Sequence, residues 1–268
     1  MLPPLLVLPI EVCAVAAALC WVLSVVTREY SWVDRLWSVM PPVYAWIFAW
    51  QSGFPGRVVL MAALATAWGA RLTFNYARKG GYAKGGEDYR WAELRRRMPP
   101  WAYQVFNLLF IAGYQHALIF LFTLPAWVAA ERGGAPIGPV DGALAVLFLA
   151  LLAGETVADQ QQWRFHRAKA ARAARGEPEP EGFLSTGLFR YSRHPNFFCE
   201  ISQWWVFALL AVAAGAPLVG PAAIGALLLT LLFHGSASFT ESLTARKYPA
   251  YADYRRRVSR LVPWWPEA

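Results

Sequence analysis

Residues 182–205 read Gly-Phe-Leu-Ser-Thr-Gly-Leu-Phe-Arg-Tyr-Ser-Arg-His-Pro-Asn-Phe-Phe-Cys-Glu-Ile-Ser-Gln-Trp-Trp, and they lead straight into an apolar run. Arg190, Tyr191, Arg193, His194, Asn196 and Glu200 fall within eleven positions. Pro195 stops any helix arriving from the N-terminal side and suits the first turn of the helix that follows. On that helix Asn196, Glu200 and Gln203 are spaced i, i+4, i+7, one polar stripe on an otherwise apolar rod. Polar and ionisable groups at membrane depth are costly, so the stripe predicts an internal site with a basic mouth.

Working outward, the same greasy character runs the length of the chain. Of 268 residues 57% are hydrophobic, only 16% are charged, and 14 are Trp, which excludes an ordinary soluble domain. Seven apolar stretches are long enough for a bilayer crossing: 2–26, 31–50, 58–77, 101–130, 140–163, 197–214 and 218–239. An isolated strand cannot satisfy its backbone in lipid, so all are read as helices in one all-α, seven-span membrane domain over residues 1–268. Leu2–Val26 lacks a basic n-region and a small-residue cleavage site and is read as a retained first span.

The basic residues test this count. Segments 27–35, 78–100, 164–195 and 241–268 carry two, seven, seven and six Lys or Arg, whereas the alternate loops hold Arg57 and Arg132 alone. The positive-inside rule then places the N-terminus outside, the C-terminus in the cytosol, and the chain in a membrane such as the bacterial inner membrane. The net charge of +8 is thereby topological, which removes its value as a sign of nucleic-acid binding. Cys13, Cys20 and Cys199 lie in apolar segments without metal or disulfide spacing and read as buried thiols. The four His are too scattered for a metal site, and no Ser sits on a Gly-flanked elbow.

Further stripes support a shared cavity opening to the cytosol. The third span carries Arg71, Asn75 and Arg78, the fifth Glu155, Asp159, Gln162 and His166, and the seventh His234, Ser238 and Glu241. The fourth adds Tyr103, Gln104, Asn107, Tyr114, Gln115 and His116, of which Gln104, Asn107 and Gln115 can share one face, with His116 beside it. Each stripe alone is equally well a polar seam between helices; several at one depth favour a cavity. Tyr251 and Tyr254 are placed to cover a cofactor, while Arg95–Arg97 and Arg255–Arg257 suit a solvated or lipid-facing surface.

Gly187-Leu-Phe-Arg-Tyr-Ser-Arg-His-Pro-Asn-Phe-Phe-x-Glu200, Tyr251-x-x-Tyr254 and Leu261-Val-Pro-Trp264 together resemble the steroid 5α-reductase family, in a bacterial form, over roughly residues 154–264. The resemblance implies an NADPH-dependent oxidoreductase that passes hydride to a lipophilic conjugated enone, plausible as a 3-oxo-Δ4 steroid, in a monomer bound to the lipid bilayer. It assigns Asn196, Glu200 and Asp159 to the cofactor, puts Glu155 where the family often has Asn, and matches Arg71 to an Arg followed ten residues later by Gly81. Arg78, Arg190 and Arg193 would meet the diphosphate, and Asn75, Tyr191, His194, Glu241, Tyr251 and Tyr254 complete the expected cofactor set. Asp34, seven residues before Pro41, stands for the family's carbonyl-polarising Glu. Trp68 occupies the position of its partner Tyr, so either Tyr103, entering from the same side as Asp34, replaces it or the substrate differs. Two other readings stand beside this one. The Arg-His-Pro core also resembles membrane methyltransferases that use S-adenosylmethionine on isoprenylcysteine or phospholipid, and a non-catalytic sterol- or lipid-binding protein is the third.

Overall fold

The computed structural model describes residues 2–133, 136–177 and 182–266. Every regular element among them is helical: α1 (Pro4–Thr27), α2 (Trp32–Trp37), α3 (Met40–Gln51), α4 (Gly56–Arg78), α5 (Tyr89–Arg97), α6 (Pro100–Phe106), α7 (Gln115–Glu131), α8 (Pro139–Ala174), α9 (Pro195–Ala213), α10 (Pro221–Lys247) and α11 (Tyr251–Arg257). A π-helical stretch, Asn107–Tyr114, joins α6 to α7 without interruption, and a 3₁₀ turn covers Gly187–Arg190. Six helices are long and apolar enough to cross a membrane: α1, α4, the continuous Pro100–Glu131 rod, α8, α9 and α10.

The stretch expected as a single second span, 31–50, is two pieces instead. α2 ends at Trp37, Ser38 and Val39 form a turn, and α3 restarts ahead of Pro41 and Pro42. Neither proline has an amide proton to donate into the preceding turn, so a hydropathy count saw continuity where the backbone ladder breaks. α3 alone gives about 18 Å, short of the apolar core.

The chain divides into two compact units. The first holds residues 1–145 and 207–227, the second 146–206 and 228–268. Within the first, α3 runs antiparallel to α4, with the Ser38 and Thr73 hydroxyls 2.7 Å apart and Trp46 Nε1 donating to Thr66 Oγ1 at 3.0 Å. Gly69 makes this approach possible, since a Cβ there would lie 2.4 Å from the Ser38 carbonyl oxygen. The segment after α1 is laced to the loop after α4. Arg35 donates to the Gly81 and Ala83 carbonyls, Glu29 accepts from the Gly85 amide, Tyr30 N–H donates to Glu87, and Asp88 N–H donates to Ser31 Oγ. At the other end of α4 the Arg57 guanidinium forks onto Asp141, Nε to Oδ1 at 2.6 Å and Nη2 to Oδ2 at 2.9 Å, with both side chains buried. Arg132 donates to the Gly215 carbonyl at 2.7 Å.

The π stretch reorients a rod that the sequence presents as uniform. Residues nine apart point to opposite faces of an α-helix, yet Asn107 and His116 are both fully buried because i→i+5 bonding widens the intervening turns. Phe106, Phe110 and Tyr114 stack along it at 4.9 and 5.3 Å.

In the second unit, the distal half of α8 and the ends of α9 and α10 frame the 182–194 segment and the C-terminal tail. Tyr251, Tyr254 and Val258 form its small apolar core with Phe183, Ala245 and Tyr248. Gly182 (φ +77°) passes so close to the Tyr248 ring that any Cβ would overlap it. Lys169 Nζ completes the corner, donating to the Gly182 carbonyl at 2.6 Å and to the Tyr248 hydroxyl at 2.7 Å.

Candidate functional site

The second unit gathers most of the residues singled out above. Its centre is Glu241 on α10, a carboxylate that is 3% exposed. Oε1 accepts from Arg193 Nε at 2.8 Å and lies 3.0 Å from His194 Nε2. Arg255 and Arg260 stand off at 3.8 Å, and both are partly exposed. Three guanidinium groups against one carboxylate leave local positive charge at the edge of the cluster. Arg193 is otherwise committed within the protein. Its Nη1 donates to the Arg255 and Val258 carbonyls and its amide to the Ser259 carbonyl. Ser192 Oγ donates to the Leu261 carbonyl at 2.7 Å and accepts from the His194 amide. The Trp264 amide donates to the Tyr191 carbonyl, and Tyr254 donates to the Phe189 carbonyl. The 189–194 segment is therefore stapled, almost residue by residue, to the tail 70 positions downstream.

Local sequence explains how this is built. Gly187, with φ +65°, lets the chain enter the 3₁₀ turn, and Gln161 on α8 caps it by accepting the Leu188 amide at 2.9 Å. Pro195 then opens α9, and His194 stacks on Phe197 one turn inside it at 5.1 Å.

Along α8 and α9 lies a buried acidic and amide seam. Gln203 Nε2 donates to Glu155 Oε2 at 2.7 Å, and Asn196 Nδ2 approaches Asp159 Oδ1 at 3.4 Å. Glu155, Asp159 and Glu200 are all buried. Arg190 is exposed and Tyr191 half-buried, edge-on to Trp265 at 5.3 Å. Tyr251 and Tyr254 are core residues of the unit, and burial pushes both phenols up from their ordinary range.

The remaining candidates sit in the first unit. Asp34 and Tyr103 do not meet each other; both meet Trp91, which the sequence reading passed over. Trp91 donates its indole N–H to Asp34 Oδ2 at 2.8 Å, while the Tyr103 hydroxyl lies 3.5 Å from the Trp91 carbonyl. Tyr103 is fully buried, edge-on to Tyr30 at 4.8 Å. On α4, Arg78 Nε donates to Asn75 Oδ1 at 2.9 Å, Asn75 is buried, and Arg71 is half-buried one turn earlier. Lys169, Tyr248, Ser192, Gln161, Arg255 and Arg260 are further residues of the second unit that no spacing rule marked. The motif glycines at 182 and 187 were the available signal for the first two and for Gln161.

With this geometry in hand, comparison with known proteins identifies the family. The chain belongs to the DUF1295 family, a protein family of unknown function, whose model matches residues 20–258. It is 37% identical over 258 residues to an uncharacterized protein of Schizosaccharomyces pombe, a match covering 91% of this chain and 75% of that protein. It is also 36% identical over 93 residues to a methanethiol S-methyltransferase of Mycobacterium tuberculosis, covering 34% of this chain and 35% of the enzyme. No solved structure matches. These findings overturn the steroid 5α-reductase resemblance and, with it, the assignment as an NADPH-dependent oxidoreductase of steroid-like enones. That resemblance rested on motifs within residues 154–264, whereas the family match takes in 20–258 and a partial relative is a transferase.

Proposed function

We propose that the protein is an integral membrane methyltransferase that takes its methyl group from S-adenosylmethionine, with a small or lipophilic thiol as acceptor. The observation that carries this reading is the partial similarity to methanethiol S-methyltransferase, together with a buried seam whose chemistry suits that donor. Glu155, Asp159 and Glu200 bring three carboxylates to one seam with Asn196 and Gln203. Such a set favours a ligand that offers hydroxyls, an ammonium and a sulfonium, and disfavours a diphosphate. S-adenosylmethionine accordingly takes the place that the reductase resemblance gave to NADPH. When bound it would supply an electrophilic methyl group for transfer to the thiol sulfur, leaving as the neutral thioether, with Glu155, Asp159, Asn196, Glu200 and Gln203 as the residues that would hold it. The chain's own part is to hold the 189–194 segment rigid through Glu241 and to keep the acidic seam dry.

A seven-pass topology accompanies this reading. Residues 29–35 are hydrogen-bonded to residues 81–87, which follow α4, so both lie at one end of α4. The chain starts α4 at the opposite end, beside Asp141, and this reading has α2 and α3 together carry it back across. The basic loops then face the cytosol, the N-terminus lies outside, and in a bacterial cell the host membrane is the inner one.

The test is binding and turnover of the purified protein. It should bind S-adenosylmethionine saturably in detergent and transfer labelled methyl to a thiol from a panel of alkyl and prenyl thiols. Failure to bind S-adenosylmethionine, with the protein demonstrably folded, refutes the reading.

A further inference from the structure

We propose that the C-terminal tail forms a headgroup site for an anionic phospholipid of the cytosol-facing leaflet, built from Arg255–Arg257 and the Trp264–Trp265 pair.

Depth is the first argument. α9 has 19 residues and so a length of about 28 Å, which matches the apolar thickness with nothing to spare. Only residues 214–220 separate it from α10, so its far end is fixed at the opposite surface. Pro195 therefore lies at the edge of the hydrocarbon, and Tyr191, four residues earlier, lies among the headgroups. The tail is attached at that level. The Trp264 amide donates to the Tyr191 carbonyl at 2.9 Å, and the Trp265 ring packs edge-on to Tyr191.

Chemistry is the second. Trp264 and Trp265 are 70% and 72% exposed, and Val262 beside them is exposed as well. Large aromatic rings in this state are costly in bulk water and favoured at the bilayer interface, where ring and N–H meet different media. Pro263 and Pro266 flank the pair, so the tail tip carries few backbone donors. Arg255, Arg256 and Arg257 close α11 a few residues before, all exposed, with Arg256 paired to Asp253. α11 and the Trp pair are both held on the 191–193 segment, Arg255 through its carbonyl to Arg193 and the Trp pair through Tyr191, so rings and guanidinium groups carried at that one level fit a phosphodiester above acyl chains.

The site also touches the centre described above. Arg255 is 3.8 Å from Glu241, and its carbonyl accepts from Arg193. A headgroup drawn to α11 thus acts on the same backbone that holds the 189–194 segment, whatever reaction that segment serves.

The experiment uses the full-length protein purified from vesicles of mixed zwitterionic lipid and phosphatidylglycerol, followed by native mass spectrometry of retained lipid. Wild type should retain phosphatidylglycerol over the zwitterionic lipid. R256Q/R257Q should weaken this preference about tenfold or more, in line with the attraction of single basic side chains for an anionic leaflet. W264F/W265F should keep most of it and W264S/W265S should lose it. Arg256 and Arg257 are exposed and the ion pairs of Glu241 are made by Arg193, His194, Arg255 and Arg260, so R256Q/R257Q is expected to fold, and its melting in detergent checks that. In parallel, a fluorophore on W265C should be quenched by lipids brominated near the headgroup. Equal retention in wild type and R256Q/R257Q, displacement of the lipid by inorganic phosphate alone, or a W265C probe quenched only from water would each overturn the proposal. None of these readouts depends on methyl transfer.

Discussion

Replacing Glu241 by glutamine tests whether this carboxylate organises the second unit. Removing one member of a buried ion pair costs about 3–5 kcal/mol, because the other charge stays in place without compensation. Here Arg193 keeps the Arg255 and Val258 carbonyls, and glutamine retains an acceptor oxygen, so about 2–3 kcal/mol should remain. For a chain of this size each kcal/mol lowers the melting midpoint by about 2–4 °C, which gives a drop of about 4–12 °C for E241Q in detergent. The control is E177Q, which breaks the exposed Arg175–Glu177 pair and should leave the midpoint nearly unchanged. Combining E241Q with R193M should cost less than the sum of the single changes, since the second removes the charge that the first left stranded. An E241Q midpoint indistinguishable from that of E177Q, or strict additivity in the cycle, would refute the account of Glu241 as the hub.

Two other expectations concern protonation and topology. The Lys169 ammonium at the Tyr248 hydroxyl holds this phenol below its ordinary value of 10.0, whereas burial raises Tyr251 and Tyr254. A depressed folded value means that ionised Tyr248 is favoured by the fold. The contribution is absent at neutral pH, where the phenol is protonated in both states, and grows as pH rises through the depressed value. An alkaline titration followed by tyrosinate absorbance should lose its earliest step in Y248F and keep it in Y251F; the reverse result would contradict the contact. For topology, single cysteines at Lys84, Gly176 and Trp264 should react only with reagent on the cytosolic side, and those at Gly53 and Val219 only from outside. A mixed pattern within either group would exclude the seven-pass reading.

Hydropathy made six of the seven expected spans legible because each lies in one long, predominantly apolar helical rod. It failed at 31–50 for a reason apolar counting does not register, the break at Ser38–Val39 ahead of Pro41 and Pro42. The π turn at Asn107–Tyr114 left no mark either. Its residues are ordinary helix material, and only the joint burial of Asn107 and His116 reveals it. At the site, the polar stripes brought out Glu155, Asp159, Asn196, Glu200 and Glu241 because helical spacing is local. The convergence of Arg193 and His194 on Glu241, 47–48 positions away, is tertiary and has no period to detect. The same holds for Trp91, whose indole N–H is accepted by Asp34, 57 residues earlier.

The Arg57–Asp141 clamp also bears on how the chain is made. Arg57 opens α4, but its partner lies 84 residues further along, so the ribosome delivers the cation well before the anion. At about 5–20 residues per second the delay is on the order of 4–17 s. Throughout it, Arg57 lacks that carboxylate, and its flexible stem can carry the charge to the polar surface of the membrane, because an unmatched guanidinium is expelled from hydrocarbon. Arrival of Asp141 then supplies the missing anion and joins the start of α8 to the start of α4, an order of assembly in which this pair is complete before the 189–194 segment has been synthesised.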